Sequence, residues 1–401
     1  MGINGFYNFF STATTIKYVS ELKGSIVLVD MSNILIKYGI GIRSQGDDKK
    51  NKHGKVINHL YTIIKYTINL LERGILPFYV FDGKVSKSKK VVLNRRRQIK
   101  ENSRKKCNEI GDKTSEEYIK YFKRGYTFYK SDIDECKYVL SLMGVPFIHA
   151  PGEADSQCAA LAYALSDKIS GVITDDSDIL IYGCPRIFKD FNPKKMTTTE
   201  VSHMSVLSVF NQKINTILKK KNRELQNFNY LNLRTKLREF CILMGSDYGK
   251  FITGRNNSVT IADLLELYVD NDMDIVKLVD HISSDNTQFN LSKTILEDFE
   301  KVNSEYTDSE TFVIKRKDIY MKRPKSNELR DFIKDIMHYS NKETNNIINI
   351  LQNQYRILNN MYKLRKNNKN NGSFSNFHTY QYRYCSKNRT RKNKNWTSSI
   401  K

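Results

Sequence analysis

Four short apolar, β-branched runs constrain this chain more than anything else in it: SIVLVD (25 to 30), ILPFYVFD (75 to 82), GVPFIHA (144 to 150) and GVITDD (171 to 176). Each is too short for a helix and too continuous for a strand with one wet face, so each predicts a strand buried on both sides. Between them, VINHLYTIIKYTINLLERG (56 to 74) and EADSQCAALAYALSD (153 to 167) space their apolar residues as helices do. Strand and helix in alternation predict an α/β fold, doubly wound about a mostly parallel central sheet. At 401 residues the chain could form two or three folding units or one large α/β domain with insertions.

Three of the runs end in acid: Asp30, Asp82 and the pair Asp175/Asp176. Ligands of open α/β sheets bind in the crevice beyond the carboxyl ends of the strands, where these acids converge. Glu153 and Asp155 follow HAPG at the start of a helical segment, Asp178 follows Asp176 by two residues, and Asp247 in LMGSDYG ends another apolar stretch. A single Asp after a strand is most often a helix cap or turn residue, and Asp175 is read that way. Capping does not require acids at successive strand ends. Clustered carboxylates raise one another's pKa, and a hard divalent cation relieves the repulsion, so magnesium, or manganese in its place, is implied. Two such ions could orient a water and stabilise both oxygens of a phosphodiester displacement.

The rest of the chain is basic, with 66 Lys and Arg against 43 Asp and Glu and a net charge of +23. Such a surface attracts polyanions, nucleic acid before anionic membrane. No run approaches the roughly 18 apolar residues of a spanning helix, and the N-terminus lacks a signal-peptide pattern. The six cysteines are scattered singly, which fits a reduced, soluble, intracellular protein. KVSKSKKVVLNRRRQIKENSRKK (84 to 106) is a basic, helix-permissive insertion directly after Asp82, in which Lys89 and Arg96, seven residues apart, share a helical face. From about residue 360 the chain turns Lys, Arg and Asn-rich without apolar period, predicting a disordered basic tail.

VPFIHAPGEADSQCAAL, GVITDDSDILIYG, YVFDGK, LMGSDY and the opening MGI closely resemble the structure-specific 5′ nucleases, the superfamily of flap endonucleases, 5′→3′ exonucleases and excision-repair nucleases, over about residues 1 to 250. The resemblance implies a PIN-like 5′ nuclease fold with a nuclease core in two parts (1–105 and 136–250), a helical arch insertion (84–135) and a helical region with a degenerate helix-hairpin-helix (251–360), ahead of the basic tail that composition marks (361–401). It implies that Asp30, Asp82, Glu153, Asp155, Asp176, Asp178 and Asp247 hold two metal ions, with Asp155 standing where eukaryotic flap nucleases have Glu. Lys89 and Arg96 match the basic pair of the arch that grips the scissile phosphate. Arg95, Arg97, Lys100, Arg104 and Lys105 are expected to make sequence-independent phosphate contacts. Gly2 and Arg43 fall near the junction of single-stranded and duplex DNA, and Ile36 stands where the family has a stacking aromatic, with Tyr38 two residues on.

The family's hairpin binds duplex through a potassium ion; here it retains Gly254 and lacks the second glycine. No sliding-clamp motif is found. The expected activity is metal-dependent cleavage of branched DNA, removing 5′ flaps in replication, repair or recombination by a monomer acting in the nucleus, or at a cytoplasmic replication site if the source is viral. A 5′→3′ exonuclease, a catalytically inactive DNA-binding scaffold and a single-strand RNase remain alternatives.

Overall fold

A computed structural model of the protein describes residues 2–84, 89–191, 196–249, 251–254, 259–284, 289–292, 294–337 and 339–369. The sheet begins with β1 (Thr14–Tyr18) and β2 (Ile26–Asp30), preceded by the short helix α1 (Phe6–Phe9). Helices α2 (Met31–Arg43) and α3 (Asn58–Glu72) lead into β3 (Leu76–Phe81). The basic insertion forms α4 (Lys89–Glu109) and α5 (Glu116–Arg124), after which α6 (Lys130–Met143) returns to β4 (Phe147–His149). The second half runs α7 (Ala154–Ala164), β5 (Ile169–Ile173), α8 (Asp178–Ile181), β6 (Arg186–Lys189) and β7 (Thr197–Ser202). Helices α9 (His203–Lys220) and α10 (Tyr230–Met244) follow, then β8 (Ile252–Gly254), α11 (Ile261–Asp270), α12 (Ile275–Ser284), β9 (Phe289–Leu291), α13 (Ile295–Thr307), α14 (Ser326–Met337) and α15 (Asn341–Lys369).

The seven-stranded sheet has the order β1-β7-β6-β5-β2-β3-β4, parallel from β6 to β4 and antiparallel at the β6/β7 and β7/β1 pairings. Every residue of β2 and β3 is buried, as their uninterrupted apolar character requires. Chain order reverses between β2 and β5, so the topological switch point lies between them. Register then sets the site. Asp30 pairs with Val80 and Val29 with Ile173, so the positions after β2, β3 and β5 emerge at one end of the sheet.

Residues 2–361 form one compact unit, so the seven-stranded sheet, the basic insertion α4–α5 and helices α11 to α14 share one body. Sequence periodicity did not reveal β1, β6 or β7, because TTIKY is a polar edge strand, TTTEVS is a polar strand paired between β1 and β6, and β6 is only four residues long. The N-terminus is riveted to the body by aromatic rings: Phe6 and Phe10 are 1% exposed, and Phe10 packs on Phe210, which stacks on Phe240. Among the described residues no helix is long and apolar enough to cross a membrane. The tail beyond residue 369 lies outside the described residues, as do 255–258 of the hairpin.

Candidate active site

Asp30 ends β2 and caps α2, its Oδ1 accepting from the backbone of Ser32 (3.0 Å) and Asn33 (3.3 Å). Burial and the neighbouring Asp82, with a smaller push from Asp176, raise its pKa to about 8. Asp82, beyond β3, accepts from the Ala154 N–H at 2.9 Å and from the Ser32 hydroxyl, so it ties β3 to the starts of α2 and α7. Glu153 sits at the N-cap of α7 and Asp155 in its first turn, where carboxylates also suit the helix dipole. Asp155 is 9% exposed, and its pKa is raised by burial and then by Asp176 and Asp30.

Asp176 follows β5, and its Oδ1 accepts from the backbone of Asp178, the first residue of α8, at 3.1 Å. Burial raises both pKa values, for Asp178 reinforced by Asp176. Asp175 behaves as the turn residue its position predicts. Burial opposes its charge, but Lys37 (2.6 Å) and the Asp190 N–H (2.9 Å) more than offset this and pull its pKa down.

The basic pair reaches across from the arch. Lys89 Nζ lies 2.6 Å from Glu153 Oε2, and Arg96 Nη2 lies 2.6 Å from Asp247 Oδ1. Burial works against the Lys89 charge, yet Glu153 and Asp155 hold its pKa above the usual lysine value. The structure therefore brings together all seven acids and both arch cations named from sequence.

Gly2 comes close to the acids. Its φ is +92°, and a Cβ there would stand 2.4 Å from Asp176 Oδ1 and 2.5 Å from Ser177 Oγ, so only glycine lets the N-terminus lie against this turn. The Ile3 N–H donating to Ser177 Oγ (2.8 Å) completes the seat.

The other basic positions divide. Arg95, Arg97 and Lys105 are exposed on α4, and Lys100 is half-buried, its pKa lowered by burial and by Arg104 and Arg96. Arg104 is engaged internally, donating to the Gly125 carbonyl at 2.9 Å. Arg43 is also engaged internally, paired with Asp48 through two bonds of 2.7 and 2.9 Å. Tyr38, two residues past Ile36, is half-buried and packs its ring edge-on against buried Tyr66 at 5.2 Å.

Sequence reasoning missed a cluster of tyrosines. The Tyr248 hydroxyl donates to Glu153 Oε2 at 3.0 Å and bonds the Tyr182 hydroxyl at 2.6 Å, and Lys89 Nζ lies 4.9 Å from the centre of its ring. Tyr182 and Tyr248 both pack on Tyr306. The available signal was adjacency, since Tyr248 follows Asp247 directly.

The fit to divalent cations can be read from the oxygens. Glu153 Oε1, Asp155 Oδ1 and both oxygens of Asp178 are buried without a hydrogen-bond partner. Buried carboxylate oxygens without donors are costly unless a cation takes them, and hard oxygen donors suit magnesium or manganese. Among the described residues no three acids close into a ready coordination shell, and Lys89 and Arg96 supply the counter-charge to two of the seven.

Comparison with known proteins agrees with this geometry. Residues 1–103 match the XPG N-terminal domain and residues 144–247 the XPG I-region. The chain is 32% identical over 232 residues to flap endonuclease 1 of Bos taurus and, equally, of Homo sapiens, an alignment covering 58% of this chain and 56% of either relative. It thus spans little more than half the length of the curated relatives it matches. Among solved structures, flap endonuclease-1 from Methanococcus jannaschii superposes with a TM-score of 0.57 at 21% identity, covering 86% of this chain and 96% of that one. The catalytic core of Rad2 in complex with DNA substrate does so with a TM-score of 0.59 at 19% identity, covering 87% and 100%. At such identities these structures establish the fold. Two family models matched in order, the first running into α4 and the two together spanning every acid of the site, show that the chain belongs to the superfamily of structure-specific 5′ nucleases and is most like the flap endonucleases.

Proposed function

We propose that the protein is a metal-dependent, structure-specific 5′ nuclease that hydrolyses phosphodiester bonds of branched DNA and removes 5′ flaps in replication, repair or recombination. The observation that carries this reading is the meeting of seven acids with two arch cations in one crevice. Binding alone would not place carboxylates where phosphate must come.

Asp30, Asp82, Glu153, Asp155, Asp176, Asp178 and Asp247 would hold the ions, two magnesium or manganese. When bound, such ions lower the pKa of water and neutralise charge developing on the phosphodiester oxygens. The protein's own part is positional. Lys89 and Arg96 span the crevice from one helix face and are placed to exchange their carboxylate partners for the scissile phosphate, stabilising charge in the transition state. Tyr248 orients Glu153 and flanks Lys89. Gly2 allows the N-terminal backbone to lie beside Asp176, narrowing the space a DNA strand can use.

Arg95, Arg97 and Lys105, exposed on α4, supply phosphate contacts that attract DNA without choosing sequence. The protein would act as a monomer on flap, nicked or gapped duplex, in the nucleus or at another intracellular site of DNA replication. A potassium ion at the hairpin would have Gly254, at the end of β8, as its nearest family match.

The test is a comparison of substrates with magnesium present. A long 5′ flap should be cut faster than a nicked or recessed duplex end. Digestion of the nicked end while the flap survives would assign the protein to the exonuclease branch.

A further inference from the structure

We infer that Arg43 is a clasp that fixes the arch to the nuclease body, a positioning residue for Lys89 and Arg96 rather than a contact to DNA. The inference rests on the nuclease reading only for its rate measurement.

Arg43 is the last residue of α2, the helix that Asp30 caps. Its guanidinium engages three elements at once. Nε and Nη2 fork onto Asp48 at 2.7 and 2.9 Å, and Asp48 is itself held by Asn58, the 1%-exposed first residue of α3, through a 2.6 Å bond. Nη1 donates to the Phe122 carbonyl of α5 at 3.0 Å. The plane lies over the Phe122 ring at 4.2 Å and near that of Tyr126 at 5.1 Å. The side chain is only 16% exposed, so little of it faces solvent or a passing phosphate.

One turn earlier the same helix makes a second seat. Gly39 lies against Tyr126, where a Cβ would come within 2.0 Å of the ring, and Tyr126 is 4% exposed. The clasp continues into the catalytic helix, because Arg104 of α4 donates to the Gly125 carbonyl next to Tyr126. Asp30 and the arch pair are therefore joined through packed structure: Asp30 starts α2, Arg43 ends it, and α5 carries α4. A planar, bidentate fork stacked on an aromatic ring is a geometry lysine cannot reproduce.

The test compares Arg43→Ala, Arg43→Lys, Asp48→Asn and the Arg43→Ala/Asp48→Asn double variant with the wild-type protein. Amide exchange across residues 116–126, DNA affinity against salt and single-turnover flap cleavage are measured on each. The clasp requires faster exchange in α5 for all four, affinity and salt slope close to wild type, and a cleavage rate lowered by about ten-fold or more, as expected for a misplaced catalytic group. Lysine should not rescue, and the double variant should fall no further than Arg43→Ala, since both changes break one interaction.

Weaker binding with a salt slope reduced by about 0.9, restored by lysine and left intact by Asp48→Asn, would make Arg43 a phosphate contact and overturn the inference. Unchanged exchange in α5, or faster exchange with an unchanged rate, would overturn it as well. If the wild-type protein cleaves no DNA, the nuclease reading fails on its own, while exchange and salt slope still report on the clasp.

Discussion

Asp178 states the energetic problem of the site most sharply: it is 1% exposed, neither of its oxygens has a partner at good hydrogen-bond geometry, and the nearby Tyr306 hydroxyl and Lys89 only partly offset the burial. Its pKa is raised, as are those of Asp30, Asp155 and Asp176, so the folded protein holds these protons more tightly than the unfolded chain does. The sign follows. Stability from these groups is fully present below about pH 4, the unfolded carboxylate value, and is lost as pH rises toward the folded values, about 8 for Asp30.

Asp178→Asn should therefore stabilise the ion-free protein by roughly 1–3 kcal/mol near neutral pH and not at about pH 4, since it removes a buried carboxyl whose desolvation outweighs the help of Lys89 and Tyr306. Urea denaturation in chelator at both pH values checks this. An equal effect at both would contradict it. Magnesium should reverse the order at neutral pH, because the variant removes a carboxylate from the proposed ion site and the ion stabilises only the form that binds it.

At Tyr248 the expectation differs, for its hydroxyl joins Glu153 to Tyr182. Tyr248→Phe keeps the ring beside Lys89 but removes the bond to Glu153, so single-turnover cleavage should slow by about ten-fold or more with DNA affinity unchanged. Unsatisfied polar groups left behind should cost about 1–3 kcal/mol of stability. A rate equal to wild type would show that Glu153 needs no such support. The acids were legible in sequence because each follows a short apolar run or opens a helix. Arg43 was not, because its partner Phe122 lies 79 residues away and nothing local to either residue signals the bond.

At the scale of elements, α4 joins arch to chemistry. Lys89 and Arg96 contact acids from β4–α7 and α10–β8 connections 64 and 151 residues away, so this one helix bridges both halves of the nuclease core. Lys89→Ala or Arg96→Ala should lower the cleavage rate by about 10²–10³-fold with little change in DNA affinity, as for removal of a transition-state donor. A matching fall in affinity would reduce them to ordinary phosphate contacts.

Helix α1, with Phe10 at its end, sits beside the Asp175–Asp176 turn, to which Tyr7 bonds. Its buried rings hold the N-terminus in place, and Gly2→Ala, strained at φ +92° and colliding with Asp176, should abolish cleavage while the protein remains folded. Full activity in that variant would mean that the Asp176 turn tolerates displacement. The parallel strands were legible because burial on both faces leaves an unbroken apolar run. The antiparallel end of the sheet was not, because the polar residues of TTIKY at its solvent-facing edge and of TTTEVS beside it leave no apolar run to detect.

For the whole molecule, charge is divided between a small acidic crevice and a basic remainder, net +23. Residues 361–401 contribute eleven Lys and Arg and no acid, so their deletion should weaken DNA binding regardless of sequence and make the salt slope shallower. An unchanged slope would separate the tail from DNA binding. Seven of the 43 acids of this basic chain stand around one switch point, an arrangement that the proposed entry of cations, with phosphate following, would explain.

The most direct test of that claim is cleavage of a 5′-labelled double-flap DNA with magnesium, with Asp176→Ala alongside. A single product cut near the junction, absent in the variant while DNA binding persists, is the expected result. A ladder of short products, or silence on every branched DNA with binding intact, would contradict it.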